Sequence, residues 1–189
     1  MFNILLDCLP EEYQGYPIDS DFQTGIQITQ VLEDTELTEW ERTNTAIALL
    51  FPSSAPDYKT AVEGVTWFLS GWYTDKHAKK EEERKKLTDY DVDGWRIYSA
   101  FRAQYGINLN RDKLHYWEFI TLLSTLEECA YTRIIEIRRK KVNSKMSAQE
   151  KNALKEAKAI YELEQPEEQM TPEELREQEI FLAAVKGKK

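Results

Sequence analysis

The chain has 189 residues, of which 41% are apolar, and a formal net charge of −9. This composition supports a hydrophobic core, whereas a nucleic-acid-binding protein needs a basic face. Cys8 and Cys129 form no metal-ligand spacing, and no apolar run approaches the roughly 20 residues that span a bilayer. We therefore expect a soluble cytoplasmic protein that binds no nucleic acid, membrane, metal or cofactor.

The N-terminal segment carries the only β structure that the sequence predicts. Phe2–Leu6 and Tyr13–Ile18 have the composition of extended segments on either side of Pro10. Gln14-Gly15 has the composition of a turn. These features predict a short β-hairpin.

The next part of the chain predicts three amphipathic helices. Asp19 or Ser20 is expected to cap the first, and Thr38-x-x-Glu41 is a capping box at the start of the second. The third follows Pro56, and its apolar side chains fall within about 120° of arc. All three helices should bury one face.

Residues 76–88 are almost entirely charged and have no apolar face. This pattern is typical of a solvated linker or an exposed extension of a helix. His77 lies among these charges without a second ligand nearby, so we do not expect it to bind a metal.

The sequence Asp89-x-Asp91-x-Asp93-Gly94 begins like an EF-hand calcium loop. Such a loop needs a bidentate carboxylate at its twelfth position, where this chain has Ala100. Aspartates before a helix also cap its free N–H groups and suit its dipole. We therefore expect helix capping, with calcium binding as the weaker interpretation.

Three further helices are predicted in the aromatic centre of the chain. The first covers about residues 94–105 and stops at Gly106. The second covers about residues 111–126 and is apolar on almost every side, which is typical of a buried helix. His115 has no Cys or Asp at catalytic spacing, so we expect a surface or hydrogen-bonded histidine. The third ends in the basic cluster at residues 138–141, which suits a helix C-terminus.

The character of the chain changes at residues 143–189. Two capping boxes, Ser147-x-x-Glu150 and Thr171-x-x-Glu174, predict two helices with thin apolar stripes. These stripes are too small for a separate folded unit, so we expect the helices to pack on another copy or on a partner, or to lie as mobile arms. The expected partner-binding residues are Leu154, Ala157, Tyr161, Leu175, Phe181, Leu182 and Val185.

Together these elements predict an all-α protein, a multi-helix bundle with a short N-terminal β-hairpin and a C-terminal helical arm. We assign residues 1–142 to a core domain and residues 143–189 to the arm. Residues 1–72 contain 12 acidic and two basic residues. This acidic surface could help to steer a basic partner.

Six short motifs distinguish the chain from a generic helical bundle. They are Leu9-Pro10, Tyr16-Pro17-Ile18-Asp19-x-Asp21-Phe22, Asp89-Tyr-Asp-Val-Asp, Ile97-Tyr98-x-Ala100-Phe101, Tyr105-Gly106-Ile107-Asn108-Leu109 and His115-Tyr116-Trp117-x-Phe119. The motifs resemble those of the bacteriophage "gene product fifteen" family, in which Trp is usual at the position of Tyr116. The resemblance covers about residues 5–140 and consists mainly of packing residues.

The resemblance implies a protein from the tail-morphogenesis region of a long-tailed phage. On that basis we expect a tail-assembly chaperone or adaptor that binds the tape-measure or major tail protein in the host cytoplasm. The alternative is a structural virion component, a tail or connector subunit that stays in the particle. An enzyme is not expected, because the chain has two histidines, no glycine-rich phosphate loop and no nucleophile elbow. A homo-oligomer is compatible with the arm.

Overall fold

Seven helices and one hairpin make up the part of the chain that the structure describes, residues 3–71 and 86–163 of a computed structural model. The strands are β1 (Glu12–Tyr13) and β2 (Tyr16–Pro17). The helices are α1 (Phe22–Glu33), α2 (Glu39–Leu50), α3 (Tyr58–Ser70), α4 (Tyr90–Gln104), α5 (Tyr116–Ser124), α6 (Ala130–Arg139) and α7 (Ala148–Tyr161). The predicted all-α fold with an N-terminal hairpin is confirmed.

The hairpin pairs β1 with β2 in antiparallel register through the predicted turn. Gln14 and Gly15 have φ angles of 50° and 85°, as both central residues of a type I′ turn require. In the described part of the preceding segment, from Asn3 onward, the chain forms a turn and is not extended, contrary to the prediction for Phe2–Leu6. The carbonyl of Asn3 accepts hydrogen bonds from the N–H groups of Leu6 and Asp7, because a local turn satisfies backbone groups that have no strand partner.

The helices α1, α2, α3 and α5 pack around one aromatic core, to which α4 adds a further wall. Phe119 of α5 stacks between Phe22 of α1 and Phe101 of α4, with centroid distances of 5.0 and 5.2 Å. Trp117 is 1% exposed, and its indole N–H donates to the carbonyl of Phe68 at 2.8 Å. The aromatic helix predicted to be central is therefore the buried centre of the bundle.

The first turns of α1 and α5 are held together by a single antiparallel bridge between Asp21 and His115. The N–H of Phe22 donates to the carbonyl of Leu114 at 2.9 Å, and the N–H of Tyr116 donates to that of Ser20 at 2.8 Å. Each helix thus satisfies a free N–H at the start of the other.

This bridge corrects two predicted helix starts. The cap of α1 is Asp21, whose carboxylate accepts from the N–H of Gln23 at 2.9 Å, and not Asp19 or Ser20. The predicted helix at residues 111–126 is shorter and begins at Tyr116, because the preceding residues form the bridge and a turn. In that turn the carbonyl of Asn108 accepts from the N–H groups of the third and fourth residues after it.

The helix α4 begins at Tyr90, four positions before its predicted start. The Asp89 carboxylate accepts from the N–H groups of Asp91 and Val92 at 2.9 and 3.0 Å. This is the predicted capping by an aspartate. Residues 90–94 are helical and cannot wrap around a cation as an EF-hand loop does.

The capping boxes at Thr38 and Ser147 are both present, each with the predicted glutamate. Of the predicted charged segment at residues 76–88, residues 76–85 lie outside the described residues. The part from Lys86 onward leads into α4 without regular secondary structure.

Candidate functional site

The predicted partner-binding residues of the C-terminal segment divide into two groups. Leu154 is 9% exposed in the chain itself, while Ala157 and Tyr161 are partly buried. The apolar side chain that α7 exposes is Ile160, at 73%. Four other predicted residues lie outside the described part of the chain, namely Leu175, Phe181, Leu182 and Val185.

The helix α7 packs against α6 and is tied to its last turn. The guanidinium Nε of Arg138 donates to the carbonyl of Tyr161 at 2.7 Å. In return, Nζ of Lys158 donates to the carbonyl of Arg138 at 3.2 Å. Leu154 and Ile134 are both buried, yet both lie outside the main hydrophobic cluster. The packing of α7 on α6 therefore buries apolar side chains apart from the main core.

A buried ion pair joins α6 to α4. Arg138 donates from Nη1 and Nη2 to the two carboxylate oxygens of Asp93, at 2.6 and 3.1 Å. The same carboxylate accepts from the N–H of Asp89 at 3.1 Å and from Nη1 of Arg96 at 3.4 Å. Arg138 also donates to the carbonyl of Leu87 at 2.7 Å. Because both carboxylate oxygens of Asp93 accept hydrogen bonds, the ion pair is suited to holding α4 and α6 together.

Sequence reasoning missed this pair, although a signal for each partner is present. Arg138 was expected only as part of a basic cluster that suits a helix C-terminus, but it lies four residues after Ile134, on the same buried face. Asp93 was expected to be a capping residue, but it lies four residues before the buried Ile97. Helical spacing from apolar residues would have placed both inside.

An open apolar groove lies between α1 and α4. Its volume is ≈ 490 Å³. The buried rings of Phe22 and Phe119 contribute to its lining, and Ile26, Tyr98 and Trp95 are also exposed to it. The other residues around it are Gln23, Gln30, Tyr90, Asp91, Gly94, Ile97, Leu109 and Asn110.

Trp95 is the prominent exposed aromatic at this groove, with 64% of its surface accessible. Its position follows from helical spacing, because α4 turns Asp93, Ile97 and Phe101 inward and Trp95 outward. The guanidinium of Arg96 lies 4.5 Å from the centroid of the Trp95 ring. A cation over an indole face is an attractive arrangement, and it helps to orient the ring at the groove.

One end of the groove continues into an acidic recess of ≈ 350 Å³ that shares Gln30, Tyr90 and Asp91 with it. Within residues 3–71 and 86–163, the recess is lined by four carboxylates, from Glu33, Asp34, Asp89 and Asp91, and one ammonium group, from Lys86. The Gln30 amide donates to the Asp91 carboxylate at 2.9 Å.

Lys86 lies 2.8 Å from both the Glu33 and the Asp89 carboxylates. Burial alone would lower the pKa of Lys86, but its hydrogen bonds to Asp89 and Glu33 outweigh that effect and raise the pKa above its ordinary value. Burial would likewise raise the pKa of Asp89, but hydrogen bonds from Lys86 and the N–H of Val92 lower it on balance. Lys86 and Asp89 are therefore both charged near neutral pH, and the described lining of the recess has more acidic than basic side chains.

His115 is an N-cap residue with both ring nitrogens engaged. Its Nδ1 accepts from the N–H of Trp117 at 3.0 Å, and its Nε2 lies 2.9 Å from the carbonyl of Pro10. Because a carbonyl only accepts, Nε2 carries the proton and the ring is neutral. Burial lowers the pKa of His115, against smaller raising effects of the Pro10 hydrogen bond and the charges of Glu118 and Glu11. The expectation of a hydrogen-bonded histidine is confirmed.

In residues 3–71 and 86–163, no group of three or more His, Cys, Asp or Glu side chains is arranged to hold a metal ion. In the same residues, no helix combines the length and apolar character needed to cross a membrane.

Comparison with known proteins gives one family. The model of that family, described as Bacteriophage Gp15 protein, matches residues 5–163, so the match extends through α7 and beyond the residue 140 expected from the motifs. Among curated proteins and solved structures, no match to the chain was found. The matched range contains the hairpin, the groove and the Asp93–Arg138 pair, and the chain belongs to the bacteriophage Gp15 protein family.

Proposed function

We propose that the chain is a tail-assembly chaperone or adaptor that binds the tape-measure protein or the major tail protein while the phage tail is built. The observation that carries this proposal is the open apolar groove between α1 and α4, with Trp95 64% exposed beside it. Apolar grooves between helices are a recurrent way of binding an amphipathic helix from another protein. Family membership supplies the phage context.

A chaperone role fits this surface better than a purely architectural one. A long tape-measure protein has apolar helices that need cover until tail subunits polymerise around it. A groove that binds one helical segment reversibly provides such cover, because it buries apolar surface without joining a closed shell. The proposed location is the cytoplasm of the infected cell.

The C-terminal segment is proposed as a second surface for association. Ile160 of α7 is 73% exposed. The predicted stripe from Leu175 to Val185 lies outside the described residues. The boundary between a core at residues 1–142 and an arm at residues 143–189 stays a prediction. Contact between two arms would produce a homo-oligomer.

A phage with an amber codon in this gene tests the proposed function. In a host without a suppressor we expect filled heads, no tails and insoluble tape-measure protein, with recovery in a suppressor host. Normal tails without the protein would contradict the proposal.

Counting copies in purified virions separates the chaperone from a structural tail or connector subunit. We expect at most trace amounts of the chain relative to the major tail protein. A fixed copy number, in a simple ratio to a known ring of the tail, would support the structural component instead.

A further inference from the structure

We propose that the groove between α1 and α4 together with its acidic recess is the docking site for one amphipathic helix whose apolar face is flanked by a lysine or arginine. Identifying the owner of that helix as a phage tail protein rests on the function proposed above. The chemistry of the helix follows from the groove itself.

The apolar half of the site has the properties of a binding surface. The rings of Phe22 and Phe119 form a rigid base because they stack on each other in the core at 5.0 Å. Trp95, which is 64% exposed, and the partly buried Tyr98 stand beside that base, and Trp and Tyr are enriched among the hot spots of protein interfaces. The groove has a volume of ≈ 490 Å³ and a mainly apolar lining.

The polar half of the site determines the sign of the partner's charge. Asp91 lies where the groove and the recess meet. Among the residues that the structure describes, four carboxylates and one ammonium group surround the recess, and Lys86 is bound to Glu33 and Asp89. A basic side chain that a bound helix places here is attracted by the carboxylates, whereas an acidic side chain would be repelled by them. This charge arrangement favours an amphipathic helix with a basic residue beside its apolar face.

Arg96 limits where that basic residue can lie. Its guanidinium is over the Trp95 ring and also donates to Asp93. A partner cation close to Trp95 would therefore meet an arginine, while one at Asp91 would face the carboxylates of the recess, where Lys86 is paired with Glu33 and Asp89. The apolar anchors of the helix should contact Trp95, and its basic residue should contact Asp91.

The test uses full-length protein and overlapping peptides that span the tape-measure and major tail proteins of the same phage. Affinities are measured by fluorescence anisotropy for the unchanged chain, Trp95→Ser and Asp91→Lys. Trp40→Ser is the matched control for the tryptophan, because Trp40 is 70% exposed on α2. Glu39→Lys is the control for the charge, because Glu39 is an acidic first-turn residue of α2 as Asp91 is of α4.

We expect the bound peptides to have apolar residues at i, i+3, i+4 and i+7 and a nearby Lys or Arg. Trp95→Ser should weaken their binding about tenfold or more, the effect of losing a hot-spot aromatic. Asp91→Lys should weaken binding strongly at low salt and less at high salt, because salt screens exposed charges. Both controls should bind within about twofold of the unchanged chain.

Several results would overturn the inference, and they separate it from the proposed function. If tail-protein peptides bind and Trp95→Ser and Asp91→Lys leave their affinity unchanged, the groove is not the site while the proposed function stands. If no tail-protein peptide binds the unchanged chain, both are wrong. If Trp95→Ser abolishes self-association, the occupant is a second copy. If removing residues 164–189 strengthens peptide binding only when Trp95 is present, the occupant in the free protein is the chain's own C-terminal segment.

Discussion

Arg138 and Asp93 form a two-point ion pair between α6 and α4, with 2% and 0% of their side-chain surfaces exposed. Arg138 is also bound to the carbonyls of Leu87 and Tyr161. One guanidinium therefore joins the entry to α4, the side of α4, the end of α6 and the end of α7. Arg138 is therefore a single residue that contacts all of these elements.

Arg138→Ala should destabilise the protein by about 3–5 kcal/mol, because it leaves the buried Asp93 carboxylate without its partner. Arg133→Ala is the control, since Arg133 pairs with Glu128 while 67% of its side chain is exposed, and such pairs contribute only about 0.2–1 kcal/mol. Urea unfolding followed by circular dichroism measures both. Equal losses in the free energy of unfolding for the two variants would show that the buried ion pair stabilises the protein no more than the exposed one.

Gly25→Ala and Gly94→Ala should change stability in opposite directions. A Cβ at Gly25 would overlap the ring of Tyr116, which is itself packed against Phe68 at 5.0 Å, so we expect a loss of about 1–3 kcal/mol. A Cβ at Gly94 meets nothing within 4 Å, and alanine in a helix interior gains about 0.5–1 kcal/mol over glycine. Thermal unfolding midpoints give the sign of each change. A stabilising Gly25→Ala would contradict the close packing of α1 on α5.

Trp117→Ala should cost about 3–5 kcal/mol, a large share of the roughly 5–15 kcal/mol that stabilises a domain. The residue is 1% exposed and also donates to the Phe68 carbonyl. Trp40→Ala, at a position 70% exposed, should leave the unfolding midpoint nearly unchanged. A stable, folded Trp117→Ala protein that only loses partner binding would mean that Trp117 is a contact residue instead.

Stability should fall as the pH drops below about 6.5, the ordinary pKa of histidine. The folded state lowers the pKa of His115, so between that lowered value and 6.5 the unfolded chain binds more protons. The stabilisation that His115 contributes is fully present above about pH 6.5 and is lost as the pH falls to the pKa of His115 in the folded state. His115→Asn keeps a capping side chain that does not titrate, so this variant should lose that part of the pH dependence. Identical pH profiles for the two proteins would exclude His115 as its source.

Removing residues 164–189 should leave the unfolding midpoint unchanged, and removing residues 143–189 should leave a folded but less stable core. The second truncation removes the Tyr161 carbonyl that Arg138 binds, and a hydrogen bond to a charged group contributes about 1.5–3 kcal/mol. Urea unfolding of both proteins measures the difference. If residues 1–142 fail to fold, α7 belongs to the core and the proposed domain boundary is wrong.

The local features of the fold could be predicted from the sequence because their hydrogen bonds join neighbours. The capping boxes at Thr38 and Ser147 close within four residues, and the Gln14-Gly15 turn needs only the two φ angles of its own residues. The buried α5 was predictable because residues on nearly every side of it are apolar.

The features that were missed depend on partners far away in the chain. Asp21 caps α1 in place of its neighbours because the carbonyl of Ser20 accepts a hydrogen bond from the N–H of Tyr116. No local sequence pattern contains that pairing. The Asp93–Arg138 pair spans 45 positions. The groove was not predicted either, since it requires the relative placement of α1 and α4. The large aromatic Trp95 on the outward side of α4 was a signal for it.

The claim that the chain binds a tail protein is tested most directly by light scattering after size-exclusion chromatography. For this measurement the full-length chain is co-expressed with the tape-measure protein or with the major tail protein of its phage. We predict a soluble complex of defined mass with at least one of them, and Trp40→Ser should form it equally well. A tail protein that elutes or aggregates identically with and without the chain, in both pairings, would contradict the account.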